Sequence, residues 1–449
     1  MDVTSRAFFI MYMHEKKYCI KSHFCPFAVT SNNNKIPAMN NPAYNSEEKE
    51  VPALAPSRDV ELSFSTPKKK NPKSFIKKYF FEGQKLNQEH EKAISNLPSN
   101  ASIKDIILIK YRKLVGVLIP LTFFQVIWWT LAVRHDYFQY FPDKYIMSIT
   151  MIFGAIIAGM TSEGGGAVAF PVMTLVLHIS PAIARDFSLM IQATGMTAAA
   201  FTIFFMKIQL EYHSITICSL GALFGMITGL EVIDGMLDGP TKKLGFVCIW
   251  FSFAFALFLL NRQHKRKTYD SIHGFGLWHG MVLFVVGFLG GIFSAISGSG
   301  VDICSFSILT LLFRVSEKVA TPTSIVLMAI NTCVGFFWRE LMSKDGIDTE
   351  AWEYFAVCVP IVVVCAPFGS FLSSHFHRQV LAFLIYILDT IALITAFIVI
   401  PITWQRGVLS VCLVFGGFIF FFILSFLGAK FLEREERKQN RDSDITLNA

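Results

Sequence analysis

Two Gly/Ser-rich stretches interrupt long apolar runs of this chain: Thr161–Gly166 (TSEGGG) and Ile296–Gly300 (ISGSG), with the carboxylates of Glu163 and Asp302 close beside them. Backbone broken at bilayer depth persists only where it is buried or lines a cavity. A helix that starts just after each break, near Gly166 and Gly300, presents N–H groups without intrahelical partners and a partial positive charge. Gly164, Gly165, Gly166, Gly298 and Gly300 let an anion approach such groups closely, and Ser162, Ser297 and Ser299 add hydroxyl donors. The competing reading is that these glycines and serines only permit tight helix crossing.

Further polar groups sit inside the long apolar segments that follow: Ser188, Gln192 and Thr194 in the first half, Ser324 and Asn331 in the second. Helical spacing puts Ser188 with Gln192 on one face and Ser324 with Asn331 on another. Intramembrane polar groups turn toward the bundle interior and mark pathways, although Ser and Thr also bond to their own helix. Glu163 and Asp302 are readable as caps of their half-helices, as carriers of a coupling proton, or as part of a cation site. Asp389 reads as a partner for another helix, and Arg185 and Asp186 as interface anchors just before a span. Neither a repeated metal spacing among the histidines, a nucleophile–base signature, a nucleotide loop nor a redox motif is evident, so the reading includes no enzyme, no metal and no cofactor.

The elements that position these groups are membrane spans. Only 16% of the 449 residues are charged and 53% are hydrophobic, a balance outside that of soluble domains. The net charge of +7 resides in loops and tails, where it sets topology and does not argue for nucleic acid. Seven of the nine cysteines lie in apolar segments and read as small hydrophobes. Spans are predicted near 114–133, 145–162, 187–206, 213–233, 244–261, 277–297, 323–338, 353–373, 380–400 and 407–428, with shorter apolar pieces at 167–179 and 301–313. The remainder divides into a disordered leader (1–66), a basic juxtamembrane segment (67–113) and a charged tail (430–449) around a transmembrane domain (114–429).

Lysines and arginines orient the bundle. The leader, Arg262–Lys267 and Lys430–Arg441 share one side if the N-terminus is cytosolic, and the 339–353 loop, with five acids against two basic residues, falls opposite. Both termini are therefore expected in the cytosol, in the plasma membrane sooner than an internal one. Aligning the two knots, with a two-residue gap, brings Ala184 onto Ala320 and Ser188 onto Ser324. The units, about 145–261 and 277–400, then form inverted repeats with equivalent breaks flanking one central site.

TSEGGGAVAFPVMTL with the trailing AIARDFSLM, and SGSGVDICSFSILTL with the trailing KVATPTSIV, resemble the sulfite exporter TauE/SafE family of membrane permeases over roughly 145–428. The resemblance implies two inverted halves and movement of sulfite, organosulfonates or other small anions. Glu163 stands where the family usually has a small residue. The expected protein is an all-α polytopic secondary transporter of a small anion, with proton coupling as an option and the oligomeric state open. The alternatives are a proton- or sodium-coupled carrier of cationic or zwitterionic solutes, and a non-transporting membrane protein or intramembrane enzyme.

Overall fold

Long apolar runs dictate helices here, because a backbone in hydrocarbon has only itself to bond to. The computed structural model describes residues 109–161, 163–262, 268–373 and 378–448, all within one compact unit, Asn71–Ala449. Among them the regular elements are helical, with one isolated bridge pairing Tyr269 with Val315. The leader, most of the basic segment, the 263–267 loop, Ser162, His375 and His377 lie outside the described residues.

In chain order the helices are α1 (Arg112–His135), α2 (Phe141–Met160), the short α3 (Gly166–Val176), α4 (Pro181–Phe205), α5 (Tyr212–Thr228) and α6 (Gly239–Arg262). They continue with α7 (Leu277–Ser297), the short α8 (Val301–Leu312), α9 (Glu317–Phe337), α10 (Thr349–Ser373), α11 (Arg378–Val399) and α12 (Trp404–Asn448). Ten of these elements are long and apolar enough to cross a membrane, and α3 and α8 are shorter. At 1.5 Å per residue each short helix covers about half of a ~30 Å hydrocarbon core.

Two predicted spans start six residues too late. α4 begins at Pro181, not 187, and α9 at Glu317, not 323. Hydropathy assigns Arg185, Asp186 and Lys318 to loops, but Ser180 accepts a hydrogen bond from the Ile183 N–H at 3.3 Å and starts α4 ahead of its charges. The approach to both helices is the same. α3 and α8 each end in a π-helical turn, Val172–Val176 and Ile308–Leu312. Each then passes through a left-handed residue, His178 or Arg314, both at φ 56°. Ser180 (φ −62°, ψ 142°) and Ser316 (φ −64°, ψ 141°) then open α4 and α9.

α4 and α9 are the central pair and mostly buried, whereas α1 and α12 are mostly exposed. Around them two tight helix pairs form. In α5 and α7, a Cβ added at Gly221, Gly225, Gly287 or Gly291 would collide with the partner's backbone, and Gly159 of α2 and Gly369 of α10 stand in the same relation. Backbones in such contact gain dispersion that no larger side chain permits. α1 docks on α10 through a defect. Pro360 has no N–H for the carbonyl of Ala356, and Trp128 Nε1 donates to that oxygen at 2.7 Å. At one end of the bundle, Tyr269 N–H donates to Arg314 O at 2.9 Å and Ser316 N–H to Tyr269 O at 2.8 Å. There too the Glu211 carboxylate accepts from Ile272 N–H at 3.0 Å. At the other end Lys144 pairs with Glu353 at 3.1 Å and Arg406 with Asp238 at 2.8 Å. Thr241, and then Arg406, hold the exposed Asp238 carboxyl below its ordinary range.

Gly287→Leu should cost about 1–3 kcal/mol through overpacking against the Cys218 carbonyl. Gly416→Leu, in α12 with nothing within 4 Å, should leave the protein unchanged. Thermal unfolding in detergent, followed by size-exclusion fluorescence, compares the two, and equal melting would refute the tight seam.

Candidate functional site

Each knot forms where a long helix has used up its regular backbone. α2 ends at Met160 and Thr161 is extended; after Glu163, Gly164 takes φ 72°, and α3 starts with Gly165 as its N-cap. α7 ends at Ser297, Gly298 takes φ 86°, and Gly300 precedes α8. Only glycine adopts those two left-handed turns at no steric cost. Space demands it as well. A Cβ at Gly164 would stand 2.7 Å from Gln192 Oε1 and 2.8 Å from Asp302 Oδ2, and one at Gly166 would stand 2.8 Å from Gln192 Nε2 and 3.0 Å from Ser299 Cβ.

The two knots therefore touch. Ser299 Oγ lies 2.8 Å from Asp302 Oδ2 and 3.3 Å from the carbonyl oxygen of Glu163, which ties the second break to the first. Gln192 Nε2, from α4, donates to Gly298 O at 2.8 Å and to Ser188 O at 3.1 Å. Ser297 Oγ lies 2.9 Å from Ser299 O, and Val301 N–H donates to Ser294 Oγ at 3.2 Å. Ser188 packs under Gly298, and Met328, which aligns with Gln192, packs under Gly164. The polar residues of the two central helices thus differ in use. Gln192 is a strut whose amide hydrogens are spent on backbone carbonyls and whose Oε1 faces Gly164 without a donor.

Of the other predicted site residues, Ser324 bonds its own helix at Thr321 O (2.8 Å), and Thr194 does so at Ile191 O (3.0 Å). Asn331, one turn beyond Met328, is 2% exposed with neither amide atom partnered by protein. Asp302 lies in the first turn of α8, facing the N–H groups of Gly300, Asp302 and Ile303, and its Oδ1 closes no hydrogen bond. Glu163 does not turn back onto α3. It is 1% exposed and reaches toward Asp389 of α11. The two helix starts are consequently unequal: Asp302 stands in the first turn of α8, and the first turn of α3 carries no acid of its own.

Arg185 and Asp186 are corrected most. They lie inside α4 at 2% exposure each, not just before it, so this span contains an arginine and an aspartate. Arg339, in the π-helical turn Trp338–Met342 that follows α9, grips Asp186 with Nε at 3.0 Å and Nη2 at 2.9 Å, while Arg185 pairs with Asp186 at 2.8 Å and also with Asp234. Lys242 closes the chain on Asp234 at 2.5 Å. Buried charge is tolerated because it is neutralised in place. The network borders the knots, for the carbonyl of Arg185 lies 3.0 Å from where a Gly298 Cβ would be. Sequence reasoning missed Arg339, Ser294 and the Glu163–Asp389 contact. Asp389 alone carried a signal, as the one charge in the apolar stretch Ala382–Val399. Among the described residues no group of three or more His, Cys, Asp or Glu could hold a metal.

A many-spanned helical bundle whose broken helices meet at its centre defines the class: a polytopic membrane protein of the transporter type. The profile of the sulfite exporter TauE/SafE family matches residues 147–396, more than half of the chain, and the chain belongs to that family, one of transporters and not of enzymes. The matched segment runs from α2 into α11 and takes in both knots, leaving the lipid-exposed α1 and α12 outside. Nothing among the curated proteins or the solved structures matches the chain.

Removing Arg339 leaves Asp186 short of its bidentate partner in a buried setting, so Arg339→Ala should cost about 3 kcal/mol. Arg339→Lys should restore only part of it, since an ammonium cannot reproduce the fork. Thermal melting of both variants checks the order, and Arg339→Ala melting like wild type would contradict it.

Proposed function

We propose that this chain is a secondary transporter of small anions, with sulfite, organosulfonates and related organic acids as its substrate class. One observation carries the reading: in a member of the TauE/SafE family, two lipid-depth backbone breaks meet beside a helix start that no carboxylate of its own faces. The anion would sit against the N–H groups of Gly165 and Gly166, at a helix start with no acid in its own first turn. Ser162, Ser188, Ser297, Ser299, Ser324, Asn331 and the remaining knot glycines Gly164, Gly298 and Gly300 complete the proposed lining and its frame, with Glu163 and Asp302 as coupling candidates.

The two units would be inverted, with both termini cytosolic. Support comes from contacts between loops that the lysine and arginine distribution puts on one side, such as Gln209 Nε2 to Asp270 O at 3.2 Å. Rocking of the units about the knots would expose the site alternately. A second reading has its own observation. Glu163, Asp389, Asp302 Oδ1 and Gln192 Oε1 crowd acceptors around the joint, which favours a carrier of cations or zwitterions.

Flux into proteoliposomes separates them. Uptake of labelled sulfite and methanesulfonate, with no uptake of small cations, is the expected result. Gly165 has the most room for a Cβ of the knot glycines, with nothing closer than 3.7 Å. Gly165→Leu should insert and elute like wild type and should lower anion flux about tenfold or more, equal to a loss of about 1.4 kcal/mol. Wild-type rates in that variant, or cation uptake without anion uptake, would end the anion reading.

A further inference from the structure

Asp389 lies midway along α11, the one charge in an apolar stretch of 18 residues, where an isolated ionised acid is costly. Its carboxyl comes within hydrogen-bonding reach of Glu163 in the first knot. The two side chains are 4% and 1% exposed, and among the described residues no donor gives a hydrogen to either Glu163 oxygen or to Asp389 Oδ2. The charged groups that face Glu163 are Asp389 from α11 and Asp302 from α8; the one that faces Asp389 is Glu163. Two ionised carboxylates offer acceptors only, so their contact closes when a hydrogen lies between them.

A separate observation points the same way. Gln192 Oε1, on a side chain 1% exposed, has no donor and is aimed at Gly164, the residue next to Glu163. Its orientation is fixed by the two carbonyls that consume its amide hydrogens. The joint beside the α3 start therefore gathers acceptors from α4, α11 and the knot itself, a set complementary to a hydrogen-bearing or positively charged group.

We propose that Glu163 and Asp389 hold one exchangeable proton between them, and that this proton is the ion that travels with the anion. The inference rests on the anion reading above. Facing the side of higher acidity, the doubly ionised pair takes a proton from water, one O–H bond forms, and the pair falls from two negative charges to one. The anion then enters beside Gly164–Gly166 against one negative neighbour fewer. Facing the other side, the O–H bond breaks, the proton returns to water and the restored charge repels the anion outward. Anion binding and proton binding favour each other by the same factor, as linkage requires.

The test uses the full chain in proteoliposomes with methanesulfonate, whose own charge stays constant over the pH range used. The readout is the ratio of initial flux with an inward proton gradient to flux without one. For 1:1 coupling about one pH unit supports about tenfold accumulation. Wild type should show several-fold stimulation, and Glu163→Gln and Asp389→Asn should bring the ratio to about one, whatever their absolute rates. Should either variant fail to fold, infrared difference spectra of wild type answer independently: adding methanesulfonate should raise a protonated-carboxyl band, and its absence would overturn the proposal. Wild-type flux indifferent to the gradient would defeat the coupling while leaving the anion site standing. Absence of any anion flux defeats the reading beneath it.

Discussion

Every backbone amide and carbonyl inside a bilayer must find its partner within the protein, and this chain breaks its helices twice where that demand is strictest. The debt is met mutually. The carbonyl of Glu163 in the first break lies against a hydroxyl from the second, and the Gly298 carbonyl in the second is held by an amide from α4 in the first half. Neither knot closes its polar groups alone, so the joint between the halves is a condition of the fold as well as the place where chemistry collects. The positions of α4 and α9, the most buried helices, follow from it, since Gln192 and Met328 are the side chains on which the two turns rest.

The halves share their architecture and divide their chemistry. Each has a short helix, a π-helical turn, a left-handed exit and a serine-opened central helix. Where the first half brings Gln192 the second brings Met328, so the central helix beneath Gly298 gives a hydrogen bond and the one beneath Gly164 a soft thioether. Where the second half turns Asp302 onto its own helix start, the first sends Glu163 outward to α11. That difference leaves the first turn of α3 without an acid of its own and is why the anion is proposed at that pole.

Much of this was legible in the sequence, for reasons local to the chain. Glycine clusters inside apolar runs have few uses, and the lengths of α3 and α8 follow directly from the apolar residues between knot and loop. Illegible were facts that depend on what arrives from elsewhere. Arg185 and Asp186 look like a helix-start boundary until Arg339 and Asp234, far off in sequence, neutralise them and let α4 begin earlier. Glu163 and Asp302 both stand beside a glycine knot, and only the arrival of Asp389 on α11 makes Glu163 half of a pair. Local pattern reports what a segment tends to do, while charge burial is decided by the neighbours.

The glycine seams between α5 and α7, and between α2 and α10, set where the molecule yields. Ordinary helix interfaces have a cushion of bendable side chains that absorbs a small slide. Here main chain lies directly on main chain, repulsion rises at once, and each pair behaves as a single stiff plank. A rearrangement that opens the bundle has to swing these planks whole, with its compliance confined to the wider, side-chain-filled boundaries about the central helices.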